Sequence, residues 1–564
     1  MTEPIYTAIS FAPVQGFIEK SRKLRDLYGA SQILSYLSER LIQTIQNPPH
    51  SLDLIQPHIK LITQPSINVK RGIPNRILFR GDVKRDTAKL VLRKSWNDVL
   101  TACRNWIETQ IPGQYYWGEE WGVRWRDNTW ELFWGQGEDP QAANDALETR
   151  KLKRDWVAIN WTGESSSITG TDAIAWPRLG DPSIKPDRPL NDTERKQQAE
   201  FYLQLAWRSE NPHSEKCPND QEPEGKFISP NERLSIPELV KRLINLEEIA
   251  QPLGIPCLPG TLTALQRKPE KTKDGNQIPG QWTGWLMGDG DKMGDYLKLV
   301  YATLGDDGLK DVSQKLLNWG KDFQEKFPES QPAPENRFGQ VIYAGGDDFL
   351  GLIYSRDPRN PIPAYSTFEW LRSFSSKWHE HNLPPVQNYP KVGECQAPTV
   401  SVGFVWAGHS VPQRDVLQHC REAEKWAKNL GRNRVTIRVV FNSGQYIQWT
   451  CPWYKLSILE QYIDRDGNKG KKANWSHVYN DWQQLKSRHA IRLIETEKQK
   501  IDDKDRALAI KILDLYFNNS GTQITNDSSL ERPWKYAAGD DKPVAVVKWI
   551  DDLINVGWKL CSNT

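Results

Sequence analysis

Residues 5–11, IYTAISF, are mostly apolar and read as a strand. Beyond it Phe17, Ile18, Leu24, Leu27, Ile33, Leu34, Leu37 and Leu41 recur at helical spacing, which predicts helix, a break at Gly29, and helix again. Residues 75–80, NRILFR, read as a second strand and 84–111 as a long helix. From 162 to 280 the pattern turns polar, with one clear helix in SIPELVKRLINLEEI. Order returns at 282–287, WTGWLM, a buried strand running into GDGDKMGDYL. A helix near 309–327 follows, then two strands around GGDD, a helix near 365–382, a strand at 398–406, a helix at 413–429 and a strand at 434–441. That succession is the β-α-β-β-α-β of a ferredoxin-like unit. The tail from about 450 is helical in pattern, notably DKDRALAIKILDLYF and AVVKWIDDLINV. The strand-first segments at 5 and 282 are compatible with two copies of one fold.

Five tryptophans lie in residues 115–135. Stacking on single-stranded bases is one reading, and packing of a lid or helix against the core is the expected one. The chain has 564 residues, a length suited to three or four domains. Its 74 Lys and Arg nearly balance 71 Asp and Glu, so the overall charge predicts no partner and any nucleic-acid surface must be local. The seven cysteines form no C-x-x-C pair, which speaks against a disulfide framework and against a zinc ribbon. Without a signal-peptide pattern or an 18-residue apolar window, a cytoplasmic protein is expected.

Candidate chemistry sits in VIYAGGDDFLGLI, residues 341–353. Asp347 and Asp348 interrupt a run otherwise fit for a buried strand, and two adjacent carboxylates are costly there without a counter-charge. They sit at an exposed hairpin tip or a cation neutralises them. In a ferredoxin-like unit the first strand lies beside this hairpin, which brings Gly288-Asp289-Gly290-Asp291 to Gly345-Gly346-Asp347-Asp348. An oxygen-rich set of this kind suits Mg²⁺ or Mn²⁺, and paired ions can promote phosphoryl transfer. The glycines permit positive φ and close approach of a triphosphate to the backbone. Lys428, at a helix end followed by Gly431, is placed to meet phosphate.

GGDDF resembles the signature of the GGDEF nucleotidyl cyclases, and AKNLGRNRV their phosphate-binding helix end. With the opening SFAPVQGFIEKSRKLRDLYGASQILSYL and DGDKMG, residues 1–445 resemble the large palm subunit of type III CRISPR effector complexes, the cyclic oligoadenylate synthase. The helical tail fits that family's C-terminal domain. The resemblance implies an α+β protein with two ferredoxin-like palm domains, 1–160 and 281–445. A connecting domain would span 161–280 and a helical C-terminal domain 446–564. It implies ATP as substrate, and Mg²⁺ or Mn²⁺ held by Asp289, Asp347 and Asp348, with Asp291 in support. Gly290, Gly345, Gly346 and Lys428 would border the nucleotide. Implied partners are guide RNA, target RNA and the other complex subunits, with no membrane. Two departures from the family are expected. No His is followed by Asp, so no HD-type DNase is predicted. Residues 166–170 (SSITG) and 235–238 (SIPE) stand where two C-x-x-C pairs would hold zinc, so no zinc is predicted; His213 and Cys217 are spare candidates without partners. The basic run with Arg22, Lys23 and Arg25 reads either as a solvated helix face or as a phosphate contact. A silent scaffold and a stand-alone cyclic dinucleotide synthase are the alternative functions.

Overall fold

The computed structural model describes residues 5–59, 72–118, 121, 124–153, 161, 163–184, 188–212, 223, 225, 227–255, 267–271, 275–327, 337–355, 357–380, 383–386, 389, 397–493, 501–518, 520–521 and 542–562. His213 and Cys217 lie outside them. Two sheets carry the fold, each built on the same plan.

The first holds β1 (Tyr6–Ala12), β2 (Asp53–Gln56), β3 (Ile77–Arg80) and β4 (Glu131–Gly137), in the order β2-β3-β1-β4. All its pairings are antiparallel, the ferredoxin-like arrangement. β2 and β4 are additions to the sequence reading: four residues are too few for a period-2 signal, and tryptophans mask β4. Trp96, Trp117, Trp121 and Trp125 are buried in one hydrophobic cluster, so the tryptophan-rich segment packs a core.

Three expectations change here. The helix Leu24–Gln46 runs unbroken through Gly29. A Cβ at Gly29 would fall 1.9 Å from the Lys241 carbonyl oxygen, so this glycine marks a helix crossing instead of a helix end. The connecting region also holds a second long helix, Asp192–Glu210, closed by a capping box at Asn191. The basic run belongs to the interior more than to solvent. Lys23 Nζ donates to the Gly225 carbonyl at 2.7 Å, and Arg25, 3% exposed, lies 3.5 Å over the Phe227 ring. Arg22 alone of the three stays largely exposed.

A buried ion cluster joins the crossing helices. Arg242 donates to Asp26 at 2.7 Å and pairs with Glu232, all three inside the protein. Glu232 is held down to about 2: burial pushes its carboxyl up, but the Arg242 guanidinium outweighs this. The degenerate zinc positions come together as well. Ser166 Oγ and Thr169 Oγ1 donate to one oxygen of buried Glu238 at 3.0 and 2.8 Å, and the Ser235 amide donates to the other at 2.8 Å.

The second sheet holds β7 (Thr283–Gly290), β8 (Arg337–Gly345), β9 (Asp348–Ser355), β10 (Val400–Ala407), β11 (Arg434–Val440) and β12 (Tyr446–Pro452), after a small hairpin of β5 (Glu270–Lys271) and β6 (Gln277–Ile278). The order β12-β11-β10-β7-β9-β8 contains the same four-strand core, extended by β11 parallel to β10 and by antiparallel β12. The helix between β7 and β8 starts earlier than the pattern indicated, at Met293, and is interrupted at Gly305. The tail adds helices Ser476–Ser487, Asp503–Tyr516 and Lys542–Cys561.

By proximity the chain groups into two compact units. The first holds residues 1–264, 297–321 and 342–346, and the second holds 265–296, 322–341 and 347–564. This grouping cuts across the four sequence segments.

Candidate active site

The site is assembled where β7, β9 and β10 reach one end of their sheet. Gly288 of β7 faces Phe349 of β9, and Asp289 faces Ser401 of β10. One step further, the Gly290 amide donates to the Asp347 carbonyl at 3.1 Å. The β8–β9 hairpin turns through Gly346 at φ +68°, a left-handed conformation that glycine adopts without penalty. Asp289 and Asp347 therefore meet, close enough for a side-chain hydrogen bond when one is protonated. Burial, and then the charges of Asp289 and Asp348, lift the Asp347 carboxyl well above the usual carboxylate range. A Cβ at Gly290 would come within 2.9 Å of Asp347 Cβ and 3.0 Å of Met293 Cε, so the contact needs glycine there.

Lys428 comes from the helix Gln413–Asn429. Its ammonium bonds Asp289 Oδ2 and lies 2.5 Å from Glu424 Oε1. Burial opposes the charge, yet Asp289 and Glu424 outweigh it and raise the lysine above its ordinary value. The helix ends in Leu430 and then turns through Gly431, Arg432 and Asn433, all at positive φ. Arg432 is exposed at this turn, and Glu424 lines the site on the same helix as Lys428. Neither was a sequence candidate. For Glu424, the i, i+4 spacing to Lys428 was the available signal.

Asp291, expected as a supporting ligand, is bound up in hydrogen bonds within the protein. It is 3% exposed and accepts from Thr399 Oγ1 (2.8 Å), Ser401 Oγ (2.7 Å) and the Asn433 amide (2.9 Å). Both its oxygens are committed, so it ties the β7 loop to β10 and to the turn after the lysine helix. Asp289, Asp347 and Asp348 remain as the oxygen donors able to hold a divalent cation. Like charges crowded against one another, with the Lys428 ammonium on Asp289 Oδ2, fit such an ion.

A second grouping, Asp464, Asp466 and His477, lies in the C-terminal region. Asp464 accepts four N–H donors: the amides of Asp466 (2.9 Å), Asn468 (2.8 Å) and Asn474 (2.9 Å), and the Asn468 side chain (3.2 Å). That carboxylate organises a loop.

A palm-type fold with acidic residues at the β7 and β9 ends places the molecule among the proteins built on a polymerase-like palm. Residues 282–436 match the family model for Cas10/Cmr2, second palm domain, and residues 6–99 match CRISPR-associated protein Cmr2, N-terminal. Two segments of the chain are thus similar to the Cas10/Cmr2 palm domain and the Cmr2 N-terminal region, the resemblance its motifs carried.

Among solved structures, a chain of the type III-B Cmr-beta complex in the apo state is 12% identical, with a TM-score of 0.51. The match covers 99% of this chain and 82% of that one. Csm1 from T. onnurineus is 12% identical with a TM-score of 0.41, covering 100% of this chain and 70% of the other. A Csm1-Csm4 cassette in complex with cA4 gives 14%, 0.39, 99% and 70%. No curated protein matches. Among the described residues, no helix is long and apolar enough to cross a membrane.

Proposed function

We propose that this protein is the signal-generating subunit of a type III CRISPR effector complex and joins ATP molecules into cyclic oligoadenylates when the complex binds target RNA. The observation that carries this reading is the meeting of Asp289 with Asp347, beside Asp348 and under the ammonium of Lys428. A scaffold has no physical use for carboxylates held against one another.

In this reading Asp289, Asp347 and Asp348 would hold Mg²⁺ or Mn²⁺. Such ions, when bound, neutralise the carboxylates and favour attack at phosphorus. Lys428 and the exposed Arg432 bind the triphosphate and offset its charge. Gly345, Gly346 and Gly290 keep side chains away from the phosphates. The 3′-hydroxyl oxygen of one nucleotide bonds to the α-phosphorus of another, the bond to pyrophosphate breaks, and the hydroxyl proton leaves to solvent. The chain's contribution is orientation and charge compensation. Adenine as the base, and guide RNA and target RNA as partners, rest on the similarity to Cas10/Cmr2.

The test is mass analysis of products from the assembled complex with ATP or GTP, Mg²⁺, and target RNA present or withheld. Cyclic adenylates that require target RNA are expected, and the double change Asp347→Ala with Asp348→Ala removes them. A guanylate dimer made without RNA would assign a stand-alone synthase; absence of any product would leave a scaffold.

A further inference from the structure

Glu424 has no role in the reaction as written above, yet it stands in the site. Its side chain is 14% exposed and its Oε1 lies 2.5 Å from Lys428 Nζ. Its position is set by the backbone. A Cβ on Gly403 of β10 would come within 2.5 Å of the Glu424 amide nitrogen and 2.3 Å of the Cys420 carbonyl oxygen, so the helix rides directly on the strand. Lys428 thus has two acidic partners of different kinds. Asp289 belongs to the group of oxygens suited to a divalent cation, while Glu424 belongs to the helix that carries the lysine.

A cation entering between Asp289 and Asp347 competes for a carboxylate whose Oδ2 the Lys428 ammonium already holds. Displaced with nowhere to go, a half-buried ammonium would be left unpaired next to a dication, which is costly.

We propose that Glu424 is a positioning residue that retains the Lys428 ammonium when a divalent cation claims Asp289, lowering the cost of cation entry and keeping the lysine aimed at the nucleotide's phosphates. The proposal rests on the reading of Asp289, Asp347 and Asp348 as cation ligands. It assigns Glu424 no direct bond to the ion.

Mn²⁺ binding to the full chain without nucleotide, followed by the paramagnetic signal of the free ion, tests it. Wild type is expected to bind Mn²⁺. Glu424→Gln should weaken binding about tenfold, the effect of one charge-assisted hydrogen bond. Lys428→Met should tighten binding, because the competitor for Asp289 is gone. In the Lys428→Met background, Glu424→Gln should change affinity by less than about twofold, since additivity fails for residues acting through one another. Equal weakening in both backgrounds, or none in either, overturns the proposal. Asp347→Ala distinguishes the underlying reading: if it leaves Mn²⁺ affinity intact, the ligand assignment itself is wrong. Should Glu424→Gln fold poorly by thermal melt, Glu424→Leu removes the same charge with an apolar side chain of similar size and carries the same expectations.

Discussion

At Gly290 the absence of a single carbon atom decides whether two carboxylates can meet. A methyl group there would press on Asp347 Cβ and on Met293, both within about 3 Å of it. Gly290→Ala is therefore expected to push Asp347 away from Asp289 and to weaken Mn²⁺ binding by more than about tenfold. Overpacking at one site costs about 1–3 kcal/mol, so the variant should still fold. Titration of Mn²⁺ beside a thermal melt separates the two effects, and an unchanged affinity would show that the contact is dispensable. Asp291, two positions after Asp289, illustrates how little spacing alone says about role. Its three donors make it a tie between strands, whereas Asp289, 34% exposed, pairs with Lys428.

Helix Leu24–Gln46 carries a titratable group with no part in the site. Glu39 is fully buried; one oxygen accepts from Gln43 at 3.0 Å and the other has no hydrogen-bond partner. Burial lifts its carboxyl to about 8, against a smaller opposing pull from Arg40. An acid whose folded value is raised stays protonated in the native protein after the unfolded chain has lost its proton. Stability from this group is then complete below about pH 4.5 and is lost as pH rises through about 8. Glu39→Gln should raise the melting midpoint by a few degrees at about pH 8 and change it little at about pH 4. Equal shifts at both values would mean that the carboxyl does not titrate as described. Glu232 has the opposite sign. Held down by Arg242, its stabilising share is present above about pH 4.5 and disappears as pH falls through about 2.

Across the whole molecule one ferredoxin-like plan occurs twice, but the two sheets differ in what lies at the end of the first strand. β1 runs out in Phe11-Ala12-Pro13, without a carboxylate, whereas β7 runs out in Asp289-Gly290-Asp291. Cation binding is thus expected to depend on the second sheet alone. An ion that binds only the folded state stabilises it by about 2.7 kcal/mol at a hundred times its dissociation constant. Mn²⁺ should raise the melting midpoint of wild type by several degrees, and chelation should reverse this. The Asp347→Ala, Asp348→Ala variant should show no shift. A shift that survives both substitutions would place the stabilising ion elsewhere, with the Asp464 loop the first region to inspect.

The amino-acid pattern by itself determined the second sheet in outline, because its strands are long, apolar and separated by strongly periodic helices. It also determined the group Asp289, Asp347, Asp348 and Lys428, because carboxylates next to glycine at strand ends and a lysine at a helix end are local features. It did not reveal β2, β4 or β12, which are short or crowded with aromatic residues and so lack a clear period. Nor could it distinguish a glycine that ends a helix from one, like Gly29, that lets a neighbouring backbone approach. Only the tertiary structure decided that Asp291 is a buried tie, that Ser166, Thr169 and Glu238 meet, and that Glu424 shares Lys428 with Asp289. Each of these depends on residues far apart in the chain arriving within hydrogen-bond distance, and that proximity is fixed by packing, which no local pattern encodes.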